Sequence, residues 1–112
     1  MGQIIELTAD DGHKLNAYKV EPSGNTKAGI VVIQEIFGVN IHIKDVCNRL
    51  ADQGYITIAP ALFDRVKPEI DLGYSEDDLG EGFGYMQEVG NEKPMSKIIS
   101  ISATATSKTV DI

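Results

Sequence analysis

Among the side chains that could do chemistry, Glu35 stands out by position. It follows an apolar run, Gly29–Ile33, as the second member of the polar pair Gln34–Glu35. A turn at Ile36–Gly38 and a helix beginning near Asn40 come next. A carboxylate at the end of a buried strand is costly unless it is paired or used. In open α/β sheets, that position is where ligands and catalytic groups gather. The competing reading is structural, with Glu35 capping the strand in solvent or pairing with a Lys or Arg. Gln34 fits a hydrogen-bonding scaffold role.

Other candidates fall away on spacing. Cys47 is the single cysteine, so no internal disulfide is possible. It shares a helical face with Ile43, Val46 and Leu50 and reads as a small buried hydrophobe. His13 sits in a hairpin turn and His42 in the first turn of a helix, too scattered for a metal site. Gly80, Gly82 and Gly84 spell G-x-G-x-G, not the phosphate-binding G-x-G-x-x-G, and no strand precedes them. Asp64, Asp71, Glu76, Asp77 and Asp78 lack calcium-loop spacing and read as a solvated face. No second carboxylate is spaced with Glu35 for glycoside hydrolysis. No cofactor or metal is expected.

The elements that must position Glu35 follow from punctuation and periodicity. Gln3–Thr8 and Lys14–Val20 read as strands joined at the turn signal Asp10-Asp11-Gly12. Pro22-Ser23-Gly24-Asn25 is a second turn. Ala28–Ile33 is apolar at every position, the pattern of a strand covered on both faces. Asn40 is the expected N-cap of a helix that ends at Gly54. Tyr55–Ala59 is the next strand, stopped by Pro60, which completes a βαβ crossover. Ala61–Gly73 reads as loop. Ser75 with Asp78 suggests a capped second helix running to about Val89, with Leu79, Phe83 and Met86 on one face. Each glycine inside it costs about 1 kcal/mol relative to Ala.

Composition sets the class. A chain of 112 residues makes at most one domain, and its balance of apolar and charged residues is that of a globular protein. The net charge of -7 disfavours nucleic acid and anionic membranes as partners. No apolar run is long enough to span a bilayer. The first residues carry neither a signal peptide nor a myristoylation pattern, Glu6 standing where Ser or Thr is needed, so a cytoplasmic location is expected.

QEIFGVN-x-H-I-x-x-V, followed by a helix and then GY-x-x-IAP-x-LF, resembles the N-terminal part of the dienelactone hydrolases (carboxymethylenebutenolidases). These form a branch of the α/β-hydrolase superfamily. The matching residues are Gln34–Asn40, His42-Ile43, Val46, Gly54-Tyr55, Ile58–Pro60 and Leu62-Phe63. The resemblance implies a partial α/β-hydrolase fold: an antiparallel hairpin, one βαβ unit and a weaker second helix. It also implies strands ordered 1-2-4-3-5 and hydrolysis of a small-molecule ester or enol-lactone by a Cys-His-Asp triad. Glu35 matches a carboxylate that helps the nucleophilic thiol become thiolate, the attacking species. The Ile36 backbone N–H matches an oxyanion-hole donor.

The nucleophile elbow G-x-C-x-G of that family has no counterpart here, and neither do the triad Asp and His. Residues 1–94 are therefore expected to be the N-terminal part of such a domain, cut before the nucleophile and inactive alone. Residues 95–112 form a Ser/Thr-rich tail expected to lie outside the family pattern, frayed or weakly paired as an edge strand. The missing neighbour would leave Ala28–Ile33 as a sheet edge. That edge raises a different possibility, a non-catalytic module that self-associates or binds a partner by strand pairing. A flavodoxin-like phosphate-binding domain ranks last, since Ile36–Asn40 holds one Gly and no Ser or Thr.

Overall fold

The computed structural model describes residues 2–92 except Asp10. The Ser/Thr-rich tail and the boundary expected at residue 94 lie outside the described residues. Strands β1 (Gln3–Thr8), β2 (Lys14–Val20), β3 (Ala28–Val31) and β4 (Tyr55–Pro60) form one sheet in the order β1-β2-β4-β3. Helix α1 (Ile41–Asp52) links β3 to β4, and α2 (Glu76–Glu92) follows a short 3₁₀ turn at Leu62–Arg65.

β1 and β2 pair antiparallel from Gln3↔Lys19 to Thr8↔Lys14, closed by Ala9 N–H donating to the His13 carbonyl. Their inner side chains, Leu7, Leu15 and Ala17, bury against Ile58 of β4. β3 runs parallel to β4 with Ile30 opposite Thr57. This is the expected strand–helix–strand crossover, in the strand order that the family resemblance implies.

α1 begins as its sequence predicts. The Asn40 side-chain oxygen accepts from the Ile43 N–H at 3.2 Å, satisfying one of the free donors of the first turn. Ile43, Cys47 and Ala51 then face Tyr18, Val20 and Ala59. The helix closes at Gln53, with Gly54 beyond it. Thr57 is fully buried, and its hydroxyl donates to the Cys47 carbonyl at 3.1 Å, so the polar group is paired.

Two expectations need correction. The strand expected over Ala28–Ile33 stops at Val31 and is exposed or half-buried along its length, not covered on both faces. It lies at the end of the sheet, and α1 covers β4 and β2. One further ladder bond, Val32 N–H to the Ile58 carbonyl, precedes its departure from the sheet.

The second correction concerns residues 61–73, read as plain loop, where the 3₁₀ turn buries Leu62 and Phe63. Long-range bonds hold that turn in place. Ala61 N–H donates to the Asn16 carbonyl, and Asn16 N–H donates to the Asp64 carboxylate, each at 2.8 Å. Burial pushes the Asp64 carboxyl above its usual range, opposed by that Asn16 bond. Arg65 donates to both oxygens of Asp11, at 2.8 and 3.1 Å, which ties the turn to the hairpin tip.

α2 starts where expected, with the Ser75 hydroxyl accepting from the Asp78 N–H at 3.1 Å. Glu76, Asp77 and Asp78 place negative charge at its N-terminus, where the helix dipole favours it. Val89 and Tyr85 pack with Leu62 and Phe63. The Leu79, Phe83 and Met86 stripe is 39, 48 and 37% exposed, so it faces outward. No described helix is long and apolar enough to cross a membrane.

Of the four glycines of α2, Gly80, Gly82 and Gly84 lie in its first half and differ in surroundings. A side chain at Gly80 or Gly84 would meet open space, while one at Gly82 would collide with the backbone carbonyl of Ile36. Gly80→Ala and Gly84→Ala should each raise unfolding stability by about 1 kcal/mol through helix propensity. Gly82→Ala should lower it, because helix and turn must separate. Urea denaturation checks this, and equal effects at all three positions would contradict the docking of α2 on Ile36.

Candidate active site

After β3 the chain folds into a tight turn in which the Gly38 N–H donates to the Glu35 carbonyl at 3.1 Å. Gly38 has φ +86°, in the left-handed region, and the Ile70 carbonyl lies where a side chain would go. Both facts require glycine there. Leu72 N–H donates to the Phe37 carbonyl at 2.9 Å, which fastens the following segment to the turn.

Gln34 holds this turn to the rest of the fold. Its side-chain oxygen accepts from the Leu62 N–H at 2.8 Å, and its amide nitrogen donates to the Glu35 carbonyl at 3.1 Å. The Glu35 carbonyl therefore receives two donors. In a trans peptide the adjoining Ile36 N–H must point the opposite way. Among the described residues that N–H has no acceptor.

Glu35 and Ile36 lie in the wall of a cleft of about 180 Å³, together with Ile33, Gln34, Leu62, Phe63 and Met86. The lining is apolar apart from Gln34 and Glu35. The strand expected to be buried is not, and the Glu35 side chain beyond its end is exposed. β3 ends four residues earlier, so the carboxylate stands clear of the sheet and avoids the full desolvation cost. Its acceptor Oε1 takes a hydrogen bond from the Tyr74 hydroxyl at 3.3 Å. Tyr74 in turn accepts from the Asn40 side-chain nitrogen at 3.1 Å and stacks edge-on against Phe37, with ring centroids 4.6 Å apart.

A carboxylate, an N–H without an acceptor among the described residues and an apolar cleft thus meet beyond the carboxyl end of a parallel strand, where open α/β sheets gather ligands. A profile of the dienelactone hydrolase family matches residues 15–111. The chain belongs to the dienelactone hydrolase family.

Relatives agree with this membership. A protein of Synechocystis sp., provisionally named a carboxymethylenebutenolidase, is 38% identical over 76 residues, covering 68% of this chain and 31% of its own length. One of Azospirillum brasilense with the same provisional name is 35% identical over 91 residues, covering 80% of this chain and 39% of its own length. The solved structure of a dienelactone hydrolase-like promiscuous phosphotriesterase from metagenomic libraries superposes with a TM-score of 0.62 at 20% identity. That match covers 93% of this chain and 42% of the other, and speaks to the fold. The chain thus spans less than half the length of these relatives.

The remaining candidate residues of this dienelactone hydrolase-family chain lie apart from the cleft. Cys47 is fully buried in the α1–sheet core, as its helical spacing predicts. Burial pushes its thiol above the ordinary value, opposed by hydrogen bonding to Thr57, so it is held as the unreactive thiol. His42 is exposed on α1. His13 stays at the hairpin, its backbone N–H bonded to Asp11 at 3.2 Å.

Sequence reasoning missed Tyr74, the second function of Asn40 as donor to Tyr74, and the contact of Gly82 with Ile36. Only the Ser75–Asp78 capping signal pointed near Tyr74, and nothing local linked it to Glu35, 39 residues away. Native protein should leave Cys47 unlabelled by a maleimide over the time in which urea-unfolded protein is fully labelled. Rapid native labelling, followed by mass spectrometry, would contradict its burial.

Proposed function

We propose that this chain supplies one wall of an ester- or enol-lactone-hydrolysing site. In this reading the Glu35 carboxylate promotes ionisation of a cysteine thiol, and the Ile36 N–H stabilises the oxyanion formed when that thiolate attacks the substrate carbonyl. The observation that carries the reading is the Glu35–Ile36 peptide. Its carbonyl is occupied by Gly38 and Gln34, and its N–H is left without an acceptor among the described residues. An oxyanion donor must be oriented before charge develops, so that no reorganisation is needed during reaction. The carboxylate next to it is exposed, which leaves it free to approach a thiol brought to the cleft.

The nucleophile belongs to a G-x-C-x-G elbow that residues 1–112 do not contain, and Cys47 is unsuited to replace it. The 112-residue polypeptide alone is accordingly inactive. The natural substrate class is a small ester or lactone, and the cleft's apolar lining suits an uncharged acyl portion.

The exposed Ile33 and the Leu79, Phe83 and Met86 stripe favour a second reading. There, the open side of β3 and α2 serves as an interaction surface for a partner or a second copy.

A chimera tests the hydrolase reading. Residues 1–92 would replace the corresponding part of an esterase-active relative, and p-nitrophenyl acetate or an enol-lactone would be the substrate. The chimera should hydrolyse it, and Glu35→Gln should lower the rate by roughly 10²-fold or more, the usual span for a proton-transfer group. The isolated chain should give no turnover. An isolated chain with turnover sensitive to Glu35→Gln, or an active chimera indifferent to it, would overturn the reading.

A further inference from the structure

We propose that Tyr74 is a positioning residue for Glu35, and that Asn40 sets the direction of its proton. The inference rests on the reading of Glu35 as the working carboxylate and adds the groups that hold it. The Asn40 oxygen is occupied as the N-cap of α1, accepting from the Ile43 N–H at 3.2 Å. That fixes which way its carboxamide faces, and the nitrogen end is left to donate. It donates to the Tyr74 hydroxyl oxygen at 3.1 Å and to the Leu72 carbonyl at 3.4 Å.

A side-chain amide nitrogen has no acceptor capacity, so Tyr74 must use a lone pair toward Asn40. Its single proton is then available to Glu35, whose Oε1 lies 3.3 Å away. The ionised carboxylate can only accept. The three groups therefore form a one-way chain, from a buried helix cap at 1% exposure to an exposed carboxylate.

The geometry also makes the hold releasable. Asn40 is buried, while Tyr74 is 60% exposed, so its bond to Glu35 competes with water and is long for an O–H donor. The Phe37 ring, edge-on to Tyr74, restrains the phenol without touching its hydroxyl chemistry. Tyr74 thus parks the carboxylate at the lip of the cleft when no thiol is there, and gives it up to a stronger partner.

The test uses the 112-residue chain and a signal that packing alone does not move, the side-chain carboxylate carbon resonance of Glu35 by NMR at neutral pH. Tyr74→Phe keeps the ring and removes only the hydroxyl. It should shift the Glu35 carboxylate resonance and the Asn40 side-chain amide together while leaving the dispersed backbone spectrum in place. Glu35→Gln should shift the Asn40 side-chain amide through the intact Tyr74, and lose that effect in the Tyr74→Phe background. A Glu35 resonance unchanged by Tyr74→Phe would overturn the proposal, as would an Asn40 amide blind to Glu35→Gln with Tyr74 present. If the variant fails to fold, Tyr74→4-fluorophenylalanine, which also lacks the hydroxyl, provides the same comparison. Failure of the hydrolase reading would appear only in the chimera's turnover, so the two outcomes are separable.

Discussion

The carboxamide of Gln34 is the joint on which the candidate site depends. Its two ends do opposite things: the oxygen satisfies Leu62 N–H at the start of the 3₁₀ turn, and the nitrogen holds the Glu35 carbonyl. A neutral side chain with both an acceptor and donors is needed, which a carboxylate or an ammonium cannot provide. Through Leu62 this joint reaches β4, and through Asn16, Asp64 and Arg65 it reaches the hairpin. The turn at Glu35–Gly38 is thus tied to the sheet on both sides, although β3 ends before it. Rigidity of this kind is what the proposed role of the Ile36 N–H requires, because an oxyanion donor works by being already in place.

The sheet edge and the α2 stripe that adjoin this cleft through Ile33 and Met86 have a different character. β3 has β4 on one side only among the described strands, and Leu79, Phe83 and Met86 turn their apolar stripe to solvent. At about 25 cal/mol per Å² of apolar surface, covering such a stripe would be a substantial favourable term. The chain aligns over 93% of itself with a structure of which it spans 42%. It holds the part of the fold built from the hairpin and the βαβ unit.

Local signals in the sequence located the elements well. The hairpin strands, the Asn40 cap, the Gly54 stop and the Ser75 cap all rest on interactions within a few residues, and each is found as read. Misreadings came where distant partners decide. Ala28–Ile33 looked buried because its composition is apolar, but its burial depends on neighbours that its own residues do not encode. The 3₁₀ turn at Leu62–Arg65 is held by Asn16 and Asp11, about fifty residues earlier. The same limit hid Tyr74. Glu35 and Ile36 themselves were legible through QEIFG, yet the reason that stretch is shaped as it is, the Gln34 bridge and the Gly82 contact, required the fold.

Amide hydrogen exchange at Ile36, resolved by NMR against its neighbours, shows whether this N–H is held in reserve. With the Glu35 carbonyl held by Gly38 and Gln34, the N–H groups of Leu62 and Gly38 should be protected, while that of Ile36 exchanges close to its unprotected rate. An Ile36 amide as protected as that of Leu62 would mean that this N–H is already spent on an internal acceptor. The turn would then have no donor to offer an oxyanion.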